Sequence, residues 1–311
     1  MRQVRYAVIL LLAALSCRSG ISRDIGTAET ELRADYADLF SVLGPDDLER
    51  WVRVRTTLRT ALDHACANEA CGGYSNLTTV QIVCSASLGR HTMRECAWIV
   101  GGSTDAIDGT TGEHLGEPRA ITCSLPLKLT TSAFLDTLAS AGEGALDAPL
   151  PGTGHSLHEA VLGCLDGTDA GTVPPSVPSS AFVALDELLP AGTKDGDAWQ
   201  DIGRRLQSSF DEACGDTFCE GDYGDIRALR LACAADRRTA VVHGCTWSLA
   251  MTTADVSADG TIHPLTAARA CPIAIDAPAS ALLVALATND PLRAPLPGRT
   301  TSLNDALAGC L

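Results

Sequence analysis

Cysteine is the residue type whose number and spacing announce chemistry in this 311-residue chain, which holds thirteen of them. Twelve form two sets of six: Cys66, Cys71, Cys84, Cys96, Cys123 and Cys164, then Cys214, Cys219, Cys233, Cys245, Cys271 and Cys310. Partners in the two sets stay 146 to 149 residues apart. An even number in a repeated pattern is the mark of a disulfide framework. A Cys-x4-Cys step is looser than the usual zinc knuckle, so all twelve are expected in disulfides, with no metal and no cofactor. The strand cysteines fall on apolar faces, which suggests bridges from the sheet to a covering helical layer. A local Cys66–Cys71 or cross-strand Cys84–Cys96 bridge is the competing arrangement.

The remaining cysteine, Cys17, needs another fate. Arg2 and Arg5 precede the uncharged stretch Tyr6 to Ser16, which has the length of an export signal and is too short to span a bilayer. Ala13-Ala14-Leu15-Ser16 before Cys17 resembles a bacterial lipobox, although Ala14 stands where leucine is usual. Residues 1–16 are therefore expected to leave as a signal peptide, Cys17 to carry lipid, and residues 17–33 to form a tether. A plainly secreted protein is the alternative. No later apolar run is long enough for a transmembrane helix.

Other reactive residue types give weaker signals. His64, His155, His158 and His243 have no histidine at the equivalent position of the other copy, and only His114 and His263 nearly correspond. Exposed loop histidines are the simpler reading. His155-x2-His158 straddles a helix start, and the second copy lacks both residues. Asp216, Glu220, Asp222 and Asp225 would offer oxygens to calcium, yet the first copy has Asn68, Gly72 and Asn76 in the matching places. No phosphate loop, nucleophile elbow or dinucleotide fingerprint occurs. Asn76-Leu77-Thr78 is a glycosylation sequon, of consequence only in a eukaryotic host. The formal charge of −15 repels phosphate backbones, so nucleic acid is excluded as a direct ligand.

The elements that position the cysteines also come in pairs. Trp51, Val54, Leu58, Leu62 and Ala65 recur at helical spacing, as do Trp199, Ile202, Leu206, Phe210 and Ala213. After Cys-x4-Cys the period becomes two: Val80, Ile82 and Cys84 answer Leu229, Leu231 and Cys233. A second strand carries Cys96, Trp98 and Val100, or Cys245, Trp247 and Leu249. The third carries Cys123, Leu125 and Leu127, or Cys271, Ile273 and Ile275. Asp108-Gly109 and Asp259-Gly260 mark turns, so each copy is expected to hold a three-stranded antiparallel meander. Helices are expected over Ser132 to Ala139 and Ser280 to Ala287, and then from Ser156 and Ser302, where Ser156 with Glu159 has capping-box spacing.

The fold class expected is α+β: two tandem homologous domains, residues 34–165 and 181–311, each an amphipathic helix, a meander and two C-terminal helices. A Pro-containing linker over 166–180 would join them.

The string Ala213-Cys214-Gly215-Asp216-Thr217-Phe218-Cys219-Glu220-Gly221-Asp222-Tyr223, with Gly244-Cys245-Thr246-Trp247 and Ala294-Pro295-Leu296-Pro297-Gly298 to Gly309-Cys310, resembles uncharacterised exported proteins and predicted lipoproteins of myxobacteria. The likeness covers most of the second copy and is weaker in the first, where Gly72-Gly73-Tyr74 replaces the acidic pattern. It implies an envelope location, membrane-anchored and facing the periplasm or exterior, and no activity. The function expected is a non-enzymatic envelope interaction protein whose partner is a protein or another envelope ligand, bivalent through its duplication. An exported hydrolase, or a protease inhibitor acting through the Gly101 to Arg119 loop, is the alternative.

Overall fold

The computed structural model describes residues 35–68, 71, 74, 76–104, 106–166, 180–213 and 223–311. The leader and tether, Cys17, most of the linker, and Cys214, Cys219, Asp216, Glu220 and Asp222 of the second repeat lie outside the described residues.

The first repeat begins with β1 (Tyr36–Asp38), α1 (Leu39–Val42) and α2 (Pro45–Asn68). Asp38 caps α1, its carboxylate accepting from the Phe40 amide. Helix α2 buries Trp51, Val54, Leu58, Leu62 and Cys66, so the apolar stripe runs onto the cysteine while Ala65 is half-buried. Then follow β2 (Thr78–Ser87), β3 (Met93–Ser103), β4 (Pro118–Pro126), α3 (Thr131–Ala141) and α4 (Leu157–Leu165). The second repeat has the same order: β5 (Phe182–Ala184), α5 (Leu185–Leu188), α6 (Lys194–Ala213), β6 (Asp225–Asp236), β7 (Val241–Val256), β8 (Ile262–Pro278), α7 (Ala279–Leu286) and α8 (Leu303–Ala308). Capping boxes start both last helices: Ser156 with Glu159, and Ser302 with Asp305.

Each sheet is antiparallel and four-stranded, β1-β2-β3-β4 and β5-β6-β7-β8. The three-stranded meander is thus corrected by one edge strand. Three residues are too few to display a period of two, so β1 and β5 gave no periodic signal.

A second correction concerns faces. Val80 and Leu229 do not share a face with Ile82 and Leu231, because the β2–β3 ladder slips between Thr79 and Gln81 and the β6–β7 ladder between Ala228 and Arg230. A β-bulge inserts one residue and reverses the alternation beyond it. The same bulge stands in both repeats, and the residue it turns joins a different core.

That core is where the sheets meet. Val80, Val83, Ala97 and Ile99 of the first repeat pack against Leu229, Ala250 and Ile262 of the second. The opposite face of each sheet packs on its own helices, around Trp51, Trp98 and Phe134 in one repeat and Trp199, Trp247 and Phe210 in the other. The layers therefore run helices, sheet, sheet, helices, and both repeats fall within one unit spanning residues 34–311. Burial on both faces explains why β3 is apolar almost throughout from Cys96 onward.

Equivalent residues meet across the sheet-to-sheet seam. Gly101 faces Ala250, its own counterpart, and Val80 shares the seam with its counterpart Leu229. Two identical folds that pack through the same patch are related by a local two-fold axis, as in a symmetric dimer. The loops repeat the relation: Tyr36 N–H donates to Ala258 C=O at 3.2 Å, and Phe182 N–H to Gly109 C=O at 3.0 Å. Each repeat's long hairpin thus closes on the first strand of the other. In the first direction Arg94 also bonds the Asp259 carbonyl, and the Glu95 carboxylate accepts from Ile262 N–H at 2.8 Å.

Disulfides join Cys66–Cys71, Cys84–Cys96, Cys123–Cys164, Cys233–Cys245 and Cys271–Cys310. Only the third of these in the first repeat, and Cys271–Cys310 in the second, ties sheet to helical layer. The sheet-to-helix expectation fails for Cys84 and Cys96, which lie directly opposite on adjacent strands with Cα atoms 4.0 Å apart. Cysteines directly opposite each other on antiparallel strands come within bridging reach as soon as the ladder forms. It fails for Cys66 as well, which closes the turn at the end of its own helix.

Candidate functional site: a cleft between the repeats

A cleft of about 640 Å³ lies between the inner sides of α2 and α6, floored by the first residues of β2 and β6. Helix α2 contributes Arg59 and Asp63, and α6 contributes Gly203, Gln207 and Asp211 from the corresponding turns. Thr78 of β2 and Arg227 of β6, also counterparts, lie beneath. Three slots of the module thus line the cleft from both repeats, while the second repeat alone supplies most of the remaining lining, including Asp186, Trp199, Arg230 and Trp247. Gly203 stands where the first repeat has Arg55, which leaves the α6 wall without a side chain at that position.

The carboxylates here are perturbed. Burial raises Asp63, opposed mainly by the Thr79 amide, which donates to its Oδ1 at 2.8 Å. Burial pushes Asp211 up to about 6, opposed by the Arg59 charge and aided by the Asp63 charge. The Arg227 guanidinium lies 2.5 Å from the Asp211 carboxylate. Beside the cleft, burial also raises Asp225, against the pull of Arg55 and Arg59, and lowers Arg55, whose guanidinium lies 4.7 Å over the Phe40 ring.

Because the folded value of Asp211 lies above its ordinary value of 3.8, its contribution to stability is complete below that pH and is lost as pH rises through about 6. Relative to the parent, Asp211→Asn, which fixes an uncharged side chain but gives up the Arg227 ion pair, should gain in urea midpoint as pH rises from 4 to 7. Carboxylates lowered elsewhere, such as Asp236 and Asp259 in their turns, are common to both proteins and cancel in the difference.

The two repeats satisfy different buried indoles: among the described residues Trp51 Nε1 has no partner while its counterpart Trp199 donates to Asp186, and for the β3 and β7 tryptophans the order is reversed. In the first, Trp98 Nε1 donates to Thr79 Oγ1 at 3.1 Å, with both side chains fully buried. In the second, the counterpart of Thr79 is Ala228, and Trp247 Nε1 has no hydrogen-bond partner among the described residues, although Trp247 is 1% exposed. Trp247 and Ala228 both line the cleft, as does Arg227, whose Nε is also buried without a partner. Thr79→Ala should cost about 1–3 kcal/mol by stranding the Trp98 donor, whereas Ala228→Thr should gain about 1 kcal/mol by supplying an acceptor for Trp247. Urea midpoints of the two variants, moving in opposite directions, check this.

The residues singled out from sequence are scattered by the fold. The described repeat cysteines are structural. His155 and His158 are engaged by Glu159 and Asp147, and His243 lies 3.4 Å from Asp276. Burial lowers His114, but it lies away from the cleft. No group of three or more potential metal ligands occurs among the described residues. Asp225 is the one member of the acidic turn that is described. The tip of the Gly101 to Arg119 loop is engaged by the second repeat, where Gly112 packs on the Phe182 ring. The cleft residues were missed, although the signal was present: Asp63 and Asp211 are acids retained in the same slot of both copies, on helices otherwise read only for their apolar stripe.

The fold and cleft define a class: a disulfide-stabilised α+β unit of paired repeats with a polar concavity between them. No protein-family model matches the chain, no curated protein matches it, and no solved structure matches it. Among the described residues, no helix is long and apolar enough to cross a membrane.

Proposed function

We propose that this chain is an exported, non-enzymatic binding protein of the cell envelope, made of two homologous six-cysteine modules that hold a ligand in the cleft between them. Residues 1–16 would be its signal peptide, Cys17 its lipid attachment site and residues 17–33 its tether. The observation that carries the reading is the cleft itself, whose size suits a small ligand and whose polar groups come from both repeats. The multiple disulfides support passage through an oxidising compartment. The likeness to exported myxobacterial proteins points the same way. Engagement of the Gly101 to Arg119 loop within the molecule favours the cleft over that loop as the binding element. A hydrolase is the second reading, favoured by the carboxyl groups of Asp63 and Asp211 on facing walls of one cleft.

Intact mass of the native mature protein, with and without thiol alkylation, tests export and anchoring. A diacylated Cys17 with no alkylatable thiol is expected. An unlipidated mature chain would make the protein secreted, and a chain retaining residues 1–16 would remove the envelope reading. Turnover of ester or glycoside substrates that disappears in Asp63→Asn would replace binding by hydrolysis.

A further inference from the structure

We infer that the cleft recognises a carboxylate: its ligand is a small molecule, or a peptide end, that places a carboxylate against Arg59, Arg227 and the Trp247 N–H and an apolar body along Leu206 and Leu231. This inference rests on the reading of the cleft as the binding site and adds the chemical class of ligand.

Three observations carry it. First, donors are in surplus. Trp247 Nε1 and Arg227 Nε are buried N–H groups without partners among the described residues, and each seeks an acceptor oxygen. Second, the walls carry Arg59, Arg204, Arg227 and Arg230 against Asp63, Asp186 and Asp211, and of these guanidinium groups Arg204 is paired with Asp201, Arg227 with Asp211 and Arg230 with Asp186. The acids are also committed: Asp186 to Arg230 and to Trp199 Nε1, Asp211 to Arg227, and Asp63 to the Thr79 amide. Among the described residues Arg59 makes no hydrogen bond or ion pair and feels only the charges of nearby groups, among them Asp63, Asp211 and Asp225, so its guanidinium has hydrogen bonds to offer an incoming anion. Third, the repeats differ where a ligand would be served. The first repeat satisfies its β3 indole with Thr79; the second replaces that threonine by Ala228 and opens the helix wall with Gly203. An unsatisfied donor is destabilising in isolation, and a bound oxygen would complete it.

The probe is hexanoate, followed through the fluorescence of Trp199 and Trp247 at pH 7 on the full chain, against hexan-1-ol and hexylammonium of equal length. Hexanoate is expected to bind at least about tenfold more tightly than either, the equivalent of one charge-assisted contact. Arg59→Gln should lose about that factor. Ala228→Thr should weaken hexanoate while raising the melting temperature, a combination that a purely structural role would not produce. N-acetyl-Ala-Leu with a free carboxylate, compared with its amide, distinguishes a peptide end from a free acid as the natural source. Preferential binding of hexylammonium or hexan-1-ol would overturn the carboxylate class and leave the cleft as a site. No response to any probe would overturn both. Hexanoate binding indifferent to Arg59→Gln and Ala228→Thr would place the acid elsewhere and refute the inference.

Discussion

Gly101→Val is expected to destabilise the molecule strongly. A Cβ at this position would fall within the Ala250 methyl and 2.8 Å from Leu229 Cδ2, with Val80 Cγ2 at 3.3 Å. None of these neighbours is the far end of a long flexible chain, and all belong to the seam between the sheets. Overpacking a filled core costs about 1–3 kcal/mol for small additions and more where backbone must move, so ~3 kcal/mol or greater is expected for valine. Gly101→Ala should cost less, and combining it with Ala250→Gly should restore most of the loss, since the exchange returns one methyl to the same point on the axis. A double-mutant cycle by chemical denaturation measures the coupling. If the alanine and glycine changes proved simply additive, Gly101 and Ala250 would not be in contact and the sheet-on-sheet arrangement would be wrong.

Removing the long-range disulfides should weaken the protein most among the described cross-links. Cys123–Cys164 and Cys271–Cys310 close loops of 41 and 39 residues, while Cys84–Cys96 closes 12 and Cys66–Cys71 closes 5. Chain entropy then ranks their stabilisation at about 4, 4, 3 and 2 kcal/mol. Paired cysteine-to-alanine variants, compared by guanidinium midpoint, should follow that order. The long bridges have a further reason to matter, because they alone among those described pin the last helix of each repeat, α4 or α8, to strand β4 or β8. Loss of Cys66–Cys71 should be the mildest change, felt mainly as fraying at the end of α2. A larger effect from Cys84–Cys96 than from Cys123–Cys164 would show that native packing, and not restriction of the unfolded chain, dominates.

Much of each repeat was legible in the chain. A stripe at 3.6 spacing specified α2 and α6, because a helix with one apolar side can only bury that side. Serine followed by an acid three residues later located the starts of α4 and α8. Alternation found β2, β3, β4 and their counterparts, and the number of cysteines announced disulfides. These signals are local, each contained within a few turns or a few pairs of one segment.

What escaped the sequence is what depends on residues far apart. The bulges at Thr79/Gln81 and Ala228/Arg230 are invisible in an apolar run, because a side chain turned to the second face meets another sheet and is as buried there as on the first. For the same reason, burial of both sheet faces removed the polar alternation that would have shown a second layer coming to cover them. The choice of Cys96 over a helical partner for Cys84 was made by ladder register, and the cleft by the meeting of two helices 148 residues apart in number at Asp63 and Asp211. Sequence by itself determined which elements form and that they form twice, since backbone periodicity and capping are short-range. Only the tertiary structure decided that the two copies stack by their sheets, exchange hairpin contacts and share a charged cleft, since those outcomes depend on surface complementarity between distant segments.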